Sequence, residues 1–410
     1  MPKNLELLSP AGDLEKLEAA VRFGTDAVYV GAGPYSLRAQ PTSFNIKELK
    51  KGVAFAHKHK VKIYLAINIF AFDEDLSKML KYLQAAAKAG IDAAIISDPG
   101  FISLVRKKLP KLKLHLSTQA NTLNSEAVKF WHKQGVSRIV LGREVSLAQV
   151  KKIKKVNPKV ELELFVHGAM CISYAGRCLL SKHMTGRSAN RGECTQPCRW
   201  EYRLKEVTRP DEEFKIEQDQ RSTYILNSKD LCLVDHIPEL IKAGVDSFKI
   251  EGRMKSVYYA ALTTKIYREA IDACPKHDPI WKKELTKTSH RQFTTGFYLG
   301  EDETECIVQG GNVRTYAFVG TRVATPLRGG RQRLRASATR FEVAVRNQIK
   351  LGDTLDAIDP GKKEIVHFKV MSIKDKDGQN LDQAHNGARV WLESDLETPA
   401  SQFSLLRRKI

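Results

Sequence analysis

Residues 5–33 read LELLSPAGDLEKLEAAVRFGTDAVYVGAG, and this stretch decides the fold. A short apolar run, LELLSPA, leads into the amphipathic segment DLEKLEAAVRFG; a glycine closes it, and a second apolar run, DAVYVGAG, follows. A glycine just past a helical pattern is a C-terminal stop signal. The unit therefore predicts strand, helix, strand.

The same rhythm continues for about 270 residues. The helical patterns IKELKKGVAFAHKH, DLSKMLKYLQAAAKAG, FISLVRKKL, SEAVKFWHKQG and SLAQVKKIKK alternate with KIYLAIN, AAIISD, LHLSTQ, RIVLGR and VELELFVHG. After a charged stretch, Val207 to Arg221, come YILNSKD, the helix LCLVDHIPELIKAG, SFKIEGR and the helix SVYYAALTTKIYREAID. Strands separated by helices of roughly 10–15 residues imply βαβ units and a parallel sheet. Roughly eight repeats predict an α/β chain with a (β/α)8 TIM-like barrel. A doubly wound dinucleotide-binding sheet is disfavoured, because the turn after the first strand is SPAGD and the GAG at Gly31–Gly33 is too short for G-x-G-x-x-G.

Beyond Pro275 the pattern changes. HRQFTTGFYLG reads as a connector, and YAFVGTRVA, FEVAVRN, DTLDAID, EIVHFKVMSI and ARVWLES are short β runs broken by turn residues. The expected organisation is a catalytic TIM-like barrel over residues 1–275, with a cysteine-rich segment at 165–200, a connector at 276–304 and a small β-barrel at 305–410. No apolar stretch approaches the roughly 20 residues that cross a bilayer, and the N-terminus has no apolar leader. The expectation is a soluble cytoplasmic protein with no membrane partner; oligomeric state is not legible.

Charge points to a polyanion. Lys and Arg number 67 against 47 acids, a net +20. Much of the surplus sits in blocks, Lys47 to Lys62, Lys107 to Lys113 and Lys151 to Lys159. A solvated lysine-rich surface is the plain reading. The sharper one is RNA, whose binding gains from counterion release along a cationic face.

Barrel enzymes carry their chemistry at the C-terminal ends of the strands. The predicted ends here are Ser9, Tyr29, Asn68, Asp98, Gln119, Arg143, His167, Asn227, Lys229, Lys249, Glu251 and Arg253. Ser9, Asp98 and Asn227 serve equally well as helix caps. The cationic ends predict an anionic small ligand at the mouth.

Four of the seven cysteines crowd together as Cys171, Cys178, Cys194 and Cys198, just past VELELFVHG. Such a group can form disulfides, hold a soft metal, or hold an iron–sulfur cluster. A structural zinc site usually shows two close C-x2–4-C pairs, and only Cys194–Cys198 qualifies. Placement beside a barrel mouth favours a working cofactor, with zinc still open. Cys232 reads as a buried helix cysteine, with a secondary reading as a substitute ligand for Cys198; Cys274 and Cys306 read as structural.

The runs ELFVHGAMC (163–171), ISYAGRCLLS (172–181), GECTQPCRW, YILNSKDL, FKIEGRMKS and RQFTTGFY resemble the blocks of the collagenase-like peptidases of unassigned catalytic type, family U32. The resemblance spans essentially the whole chain, and the cysteine segment is its specific part. It implies a [4Fe–4S] cluster on Cys171, Cys178, Cys194 and Cys198. It also implies RNA hydroxylation without molecular oxygen, most closely the formation of 5-hydroxyuridine at the tRNA wobble position with prephenate as oxygen donor and co-substrate. The implied partners are a tRNA anticodon arm and iron–sulfur assembly proteins. Hydroxylation of ribosomal RNA and peptidase activity are the alternatives.

On that reading, His167, Arg143, Arg253 and Tyr174 are the candidate catalytic residues. Arg177, Lys249, Glu251, Tyr29 and Tyr35 are the candidate substrate-binding residues, Arg143, Lys249 and Arg253 being suited to carboxylates. A peptidase would need other machinery. No G-x-S-x-G elbow or H-E-x-x-H occurs, and His167, four residues before Cys171, is the one dyad the sequence offers.

Overall fold

The computed structural model describes residues 5–37, 43–171, 173, 176–200, 217–218, 223–224, 228–300, 313–323, 339–396 and 401–410. It divides into two compact units: residues 1–21, 25–282 and 290–313 form the first, and residues 22–24, 283–289 and 314–410 the second.

The first unit is the expected barrel. Its strands are β1 (Glu6–Pro10), β2 (Ala27–Gly31), β3 (Lys62–Ala66), β4 (Ala93–Ile96), β5 (Lys113–Leu116), β6 (Arg138–Val140), β7 (Glu161–Ala169) and β8 (Ser247–Ile250). They pair in parallel in that order. Ser247 then pairs with both Glu6 of β1 and Glu163 of β7, which closes the ring.

The intervening helices are α1 (Leu14–Arg22), α2 (Ile46–Lys58), α3 (Asp73–Lys88), α4 (Pro99–Lys108), α5 (Ser125–Lys133) and α6 (Leu147–Val156), followed by α7 (Leu180–Thr185), α8 (Ile237–Lys242) and α9 (Val257–Ala273). Asn45, Asp98, Asn124, Ser146 and Ser256 each accept a backbone N–H at the start of their helix. Such caps contribute about 1 kcal/mol apiece. Asp98 is thereby a cap, the plainer of its two readings.

Inside the barrel, Leu8, Ala27, Tyr29, Tyr64, Ala66, Ala93 and Ile95 form an apolar cluster. A column of buried charge runs beside it. Arg138 meets Glu6 at the N-terminal end of the barrel, and its Nη1 also lies 3.4 Å from Glu163 Oε2. Glu163 Oε1 in turn accepts from Lys249 Nζ at 2.8 Å. Tyr64 and Lys62 hold the second oxygen of Glu6 at 2.7 and 3.2 Å.

Two local expectations change. The described part of YILNSKDLCLVDHIPELIKAG is a short strand, Asp230–Cys232, antiparallel to the end of β7, and its helix begins only at Ile237, with Pro238 in the first turn. Proline suits that first turn, where its missing N–H has no intrahelical partner. The expected connector is also structured: Phe293–Thr294 pairs with Asp230–Cys232 and extends the barrel sheet.

The second unit contains a closed antiparallel barrel of six strands in the order Tyr316–Arg322, Thr339–Val345, Arg389–Ser394, Ile365–Lys374, Thr354–Ile358 and Leu405–Lys409. Val319, Phe341, Val343, Leu355, Phe368, Val370, Leu392 and Leu406 fill it. The strand LLRRK (405–409) carries no apolar alternation beyond its first residues. It is a strand because fully buried Arg407 pairs with Asp356 and Glu284, each at 2.8 Å. Among the described residues no helix is long and apolar enough to cross a membrane.

Candidate functional site

The C-terminal ends of the barrel strands surround a cavity of about 110 Å³. Tyr29 of β2, Asn68 beyond β3, Ile95 of β4 and Ser117, Thr118 and Gln119 beyond β5 form one side. Arg143 beyond β6, Phe165 of β7, Cys171 beyond β7, Lys249 of β8, and Glu251 and Arg253 beyond β8 form the other. Three cations thus face the cavity with a single carboxylate.

Each cation is held differently. The Arg143 guanidinium sits over the Phe165 ring, 3.9 Å from its centroid. Lys249 Nζ sits 4.6 Å from the Tyr29 ring and 5.3 Å from Phe165, anchored by Glu163. Burial disfavours the ammonium and lowers the Lys249 pKa, while Glu163 opposes that fall. Arg253 Nη1 donates to Ser36 Oγ at 2.6 Å and Nη2 to the Leu37 carbonyl, which ties the loop after β2 to the end of β8. Asn68 supports the same loop, accepting from Leu37 N at 3.2 Å and donating to Ser117 Oγ at 3.0 Å.

Backbone geometry at the mouth depends on glycine. Gly168 has φ 106°, and a Cβ there would lie 2.4 Å from the Glu251 carbonyl oxygen. This close approach lets β7 and the chain after β8 run together, with Glu251 N bonded to the His167 carbonyl at 2.8 Å.

The cysteine segment leaves β7 at the cavity. Cys171 lines the cavity, Cys171, Cys178 and Cys198 are partly buried, and Cys194 is exposed. None of the six described cysteines is disulfide-bonded. Cys178 Sγ accepts from Leu180 N at 3.3 Å, and Cys194 Sγ lies 3.8 Å from the Ser181 hydroxyl that donates to it. Hydrogen bonds to sulfur are the kind of partner that tunes a thiolate cluster. Among the described residues no group of three or more His, Cys, Asp or Glu side chains is gathered to hold a metal ion. Four thiols, none of them in a disulfide, are in donor type and number the set that a four-iron cluster takes. Cys232 does not belong with them: it is buried in the barrel wall, and burial pushes its thiol up to about 12.

The structure brings Tyr29, Arg143, Lys249, Glu251, Arg253 and Cys171 together at the cavity. Three other candidates stand elsewhere. His167, expected at the mouth, is 1% exposed and points outward from β7 into a cage of Tyr259, Tyr267 and Phe293. Burial pushes its imidazole down to about 3. The strand-end position was read correctly but the side-chain direction was not, because adjacent strand residues face opposite sides. Arg177 does not line the cavity; it donates to the Gln119 carbonyl at 3.1 and 2.7 Å and so positions that wall. Tyr35 packs edge-on to Tyr82, outside the cavity lining. Tyr174, Asn227 and Cys306 lie outside the described residues.

Sequence reasoning missed Phe165, which backs two of the cations, and Glu6, Arg138 and Glu163 beneath them. A signal existed. Charged residues at alternate positions within otherwise apolar barrel strands, as in VELELFV, mark an interior ion network.

Residues 12–307 match the sequence model of Peptidase family U32, and residues 327–407 that of the Peptidase family U32 C-terminal domain. The chain is 38% identical to a tRNA hydroxylation protein of Bacillus subtilis over 95% of its own length and 91% of that protein. It is 36% identical to a tRNA hydroxylation protein of Escherichia coli over 98% of its length and 96% of that protein. It is 32% identical to a 23S rRNA 5-hydroxycytidine synthase of Escherichia coli, over 92% of its length and 55% of that protein.

Proposed function

The chain belongs to the U32 peptidase family, and from that premise we propose that it is an RNA hydroxylase. The finer reading is formation of 5-hydroxyuridine at the wobble position of tRNA, with prephenate as oxygen donor. The observation that carries it is the cavity itself: three cations against one carboxylate, with Cys171 at its wall. A small dicarboxylate such as prephenate matches that charge pattern. The family's tRNA hydroxylation proteins, similar over most of this chain, support the RNA substrate.

The residues divide the work as follows. Arg143, seated over the Phe165 ring, offers its guanidinium to one carboxylate. Lys249 presents an ammonium whose charge burial resists, so an incoming carboxylate stabilises its protonated form. Glu163 keeps that ammonium aimed at the cavity, and Arg253 fixes Ser36 and Leu37 at its wall. Cys171, Cys178, Cys194 and Cys198 would hold a [4Fe–4S] cluster, which would supply one-electron chemistry. The target base enters from an unpaired loop, where a nucleotide can leave its stack at little cost. The anticodon arm is such a loop, and iron–sulfur assembly proteins would load the cysteines in the cytoplasm.

Peptide cleavage has weaker support. The only dyad the sequence offered pairs Cys171 with His167, and His167 sits in an aromatic cage with a basicity far below that of a general base. The test is mass analysis of tRNA nucleosides from a host lacking the gene, grown without oxygen so that no oxygen-dependent route compensates. Loss of 5-hydroxyuridine derivatives, restored by the wild-type gene and not by Arg143→Ala, is expected. Unchanged nucleosides in the deletion host would overturn the tRNA reading, and a change confined to ribosomal RNA would replace it.

A further inference from the structure

Phe72 is out of place as a helix component. It occupies the N-cap of α3, a position that Ser, Thr, Asp or Asn normally fills, and its side chain makes no capping bond. It is also 58% exposed. An isolated exposed phenylalanine is ordinary on a protein surface. This one, however, has a built support.

Arg191, from the cysteine segment, lies 5.1 Å from the Phe72 ring centroid. Its guanidinium is locked by Asp75 through two bonds, at 2.8 and 3.1 Å, and donates to the Phe70 carbonyl at 3.2 Å. The same Asp75 accepts from Phe72 N at 3.0 Å. Asn190 joins the two segments: its carbonyl accepts from Phe70 N at 3.0 Å, and its side-chain oxygen accepts from Cys178 N at 3.3 Å. The loop that carries Phe72 also carries Asn68, which lines the cavity. The segment that carries Arg191 exposes Lys182, His183 and Arg187. An exposed aromatic ring, set against a hydrogen-bonded guanidinium and accompanied by exposed cations, matches what an unpaired nucleotide needs: a stacking surface for the base and positive charge for its phosphate.

We propose that Phe72, backed by Arg191, is a stacking platform for an unpaired base next to the nucleotide that enters the cavity. This rests on the RNA reading above and adds the surface that would hold the loop.

The test measures binding of a fluorescein-labelled anticodon stem–loop RNA by anisotropy at one fixed salt concentration, with a fully paired RNA duplex as control. Phe72→Ser should bind the stem–loop on the order of 5- to 150-fold more weakly, the range of one lost base–aromatic stack. Its Tm should hold or rise, since serine caps α3. Phe72→Trp should keep wild-type affinity, and duplex binding should not move. Equal stem–loop affinity in wild type and Phe72→Ser would overturn the platform while leaving the RNA reading intact. An equal loss for stem–loop and duplex would overturn it as well, because a stack discriminates unpaired bases. Failure of the wild-type protein to bind either RNA would remove both this inference and the function it rests on.

Discussion

Replacing Glu163 by Gln tests the charged column under the cavity. Glu163 is fully buried and bonded to Lys249 at 2.8 Å, with Arg138 at 3.4 Å. Glutamine keeps the shape and removes the charge. Arg138 retains Glu6, so Lys249 bears the loss. Removing one partner of a buried pair costs about 3–5 kcal/mol. Lysine can shed its proton, which limits the cost to the lower end, about 3 kcal/mol. At roughly 2–4 °C per kcal/mol for a unit of this size, Tm should fall by about 6–12 °C. The pH dependence has a definite sign. Burial already holds the Lys249 pKa below its ordinary value, and losing Glu163 lowers it further. Between the variant's folded pKa and that of the wild type, the folded variant has released a proton that the unfolded chain still binds. Stability of the variant relative to wild type therefore rises with pH in that window, and the deficit is largest below it. Thermal unfolding by circular dichroism from about pH 6 to 10 reads this out. The double variant Glu163→Gln, Lys249→Met should recover part of the loss, because no ammonium is left unpaired. A Tm within about 1 °C of wild type at every pH, or strictly additive single variants, would refute the argument.

Gly168→Ala should lower Tm and soluble yield sharply, since its Cβ would lie 2.4 Å from a backbone oxygen, whereas Gly186→Ala, with open space around its Cβ, should cost only about 1 kcal/mol for its positive φ. His167→Phe should flatten acid sensitivity. The buried imidazole titrates near 3 against 6.5 ordinarily, so wild-type stability falls as pH drops from about 6.5 toward 3, and Tm measured across that range should lose this slope in the variant. Replacing any one of Cys171, Cys178, Cys194 or Cys198 by Ala should reduce the iron and sulfide of anaerobically purified protein, and Cys232→Ala should not. Full iron content after two such replacements would exclude the cysteine segment as the cluster's holder.

The barrel was legible because its strands and helices are nearly uniform in pattern: short apolar runs, amphipathic helices, and a glycine closing several of them. The second barrel was legible for the same reason, except for its last strand, which is held by the ion pairs of Arg407 rather than by apolar alternation. The mouth was legible as a list of strand ends but not as a surface. Arg143, Lys249 and Arg253 converge on the cavity, while His167, from the same kind of position, turns away into aromatic rings.

From its sequence alone this chain determined a parallel α/β barrel, a cationic mouth and a cysteine segment placed beside it, because periodicity, charge and spacing are local properties. Tertiary structure alone decided which of those side chains share a space. Closure of β8 on both β1 and β7 aligns Glu6, Arg138, Glu163 and Lys249 in one column, though they are far apart in the chain. It also sets Arg191 behind Phe72 across more than a hundred residues. Contacts of that range depend on how the strands close and where each loop returns, which no window of sequence encodes.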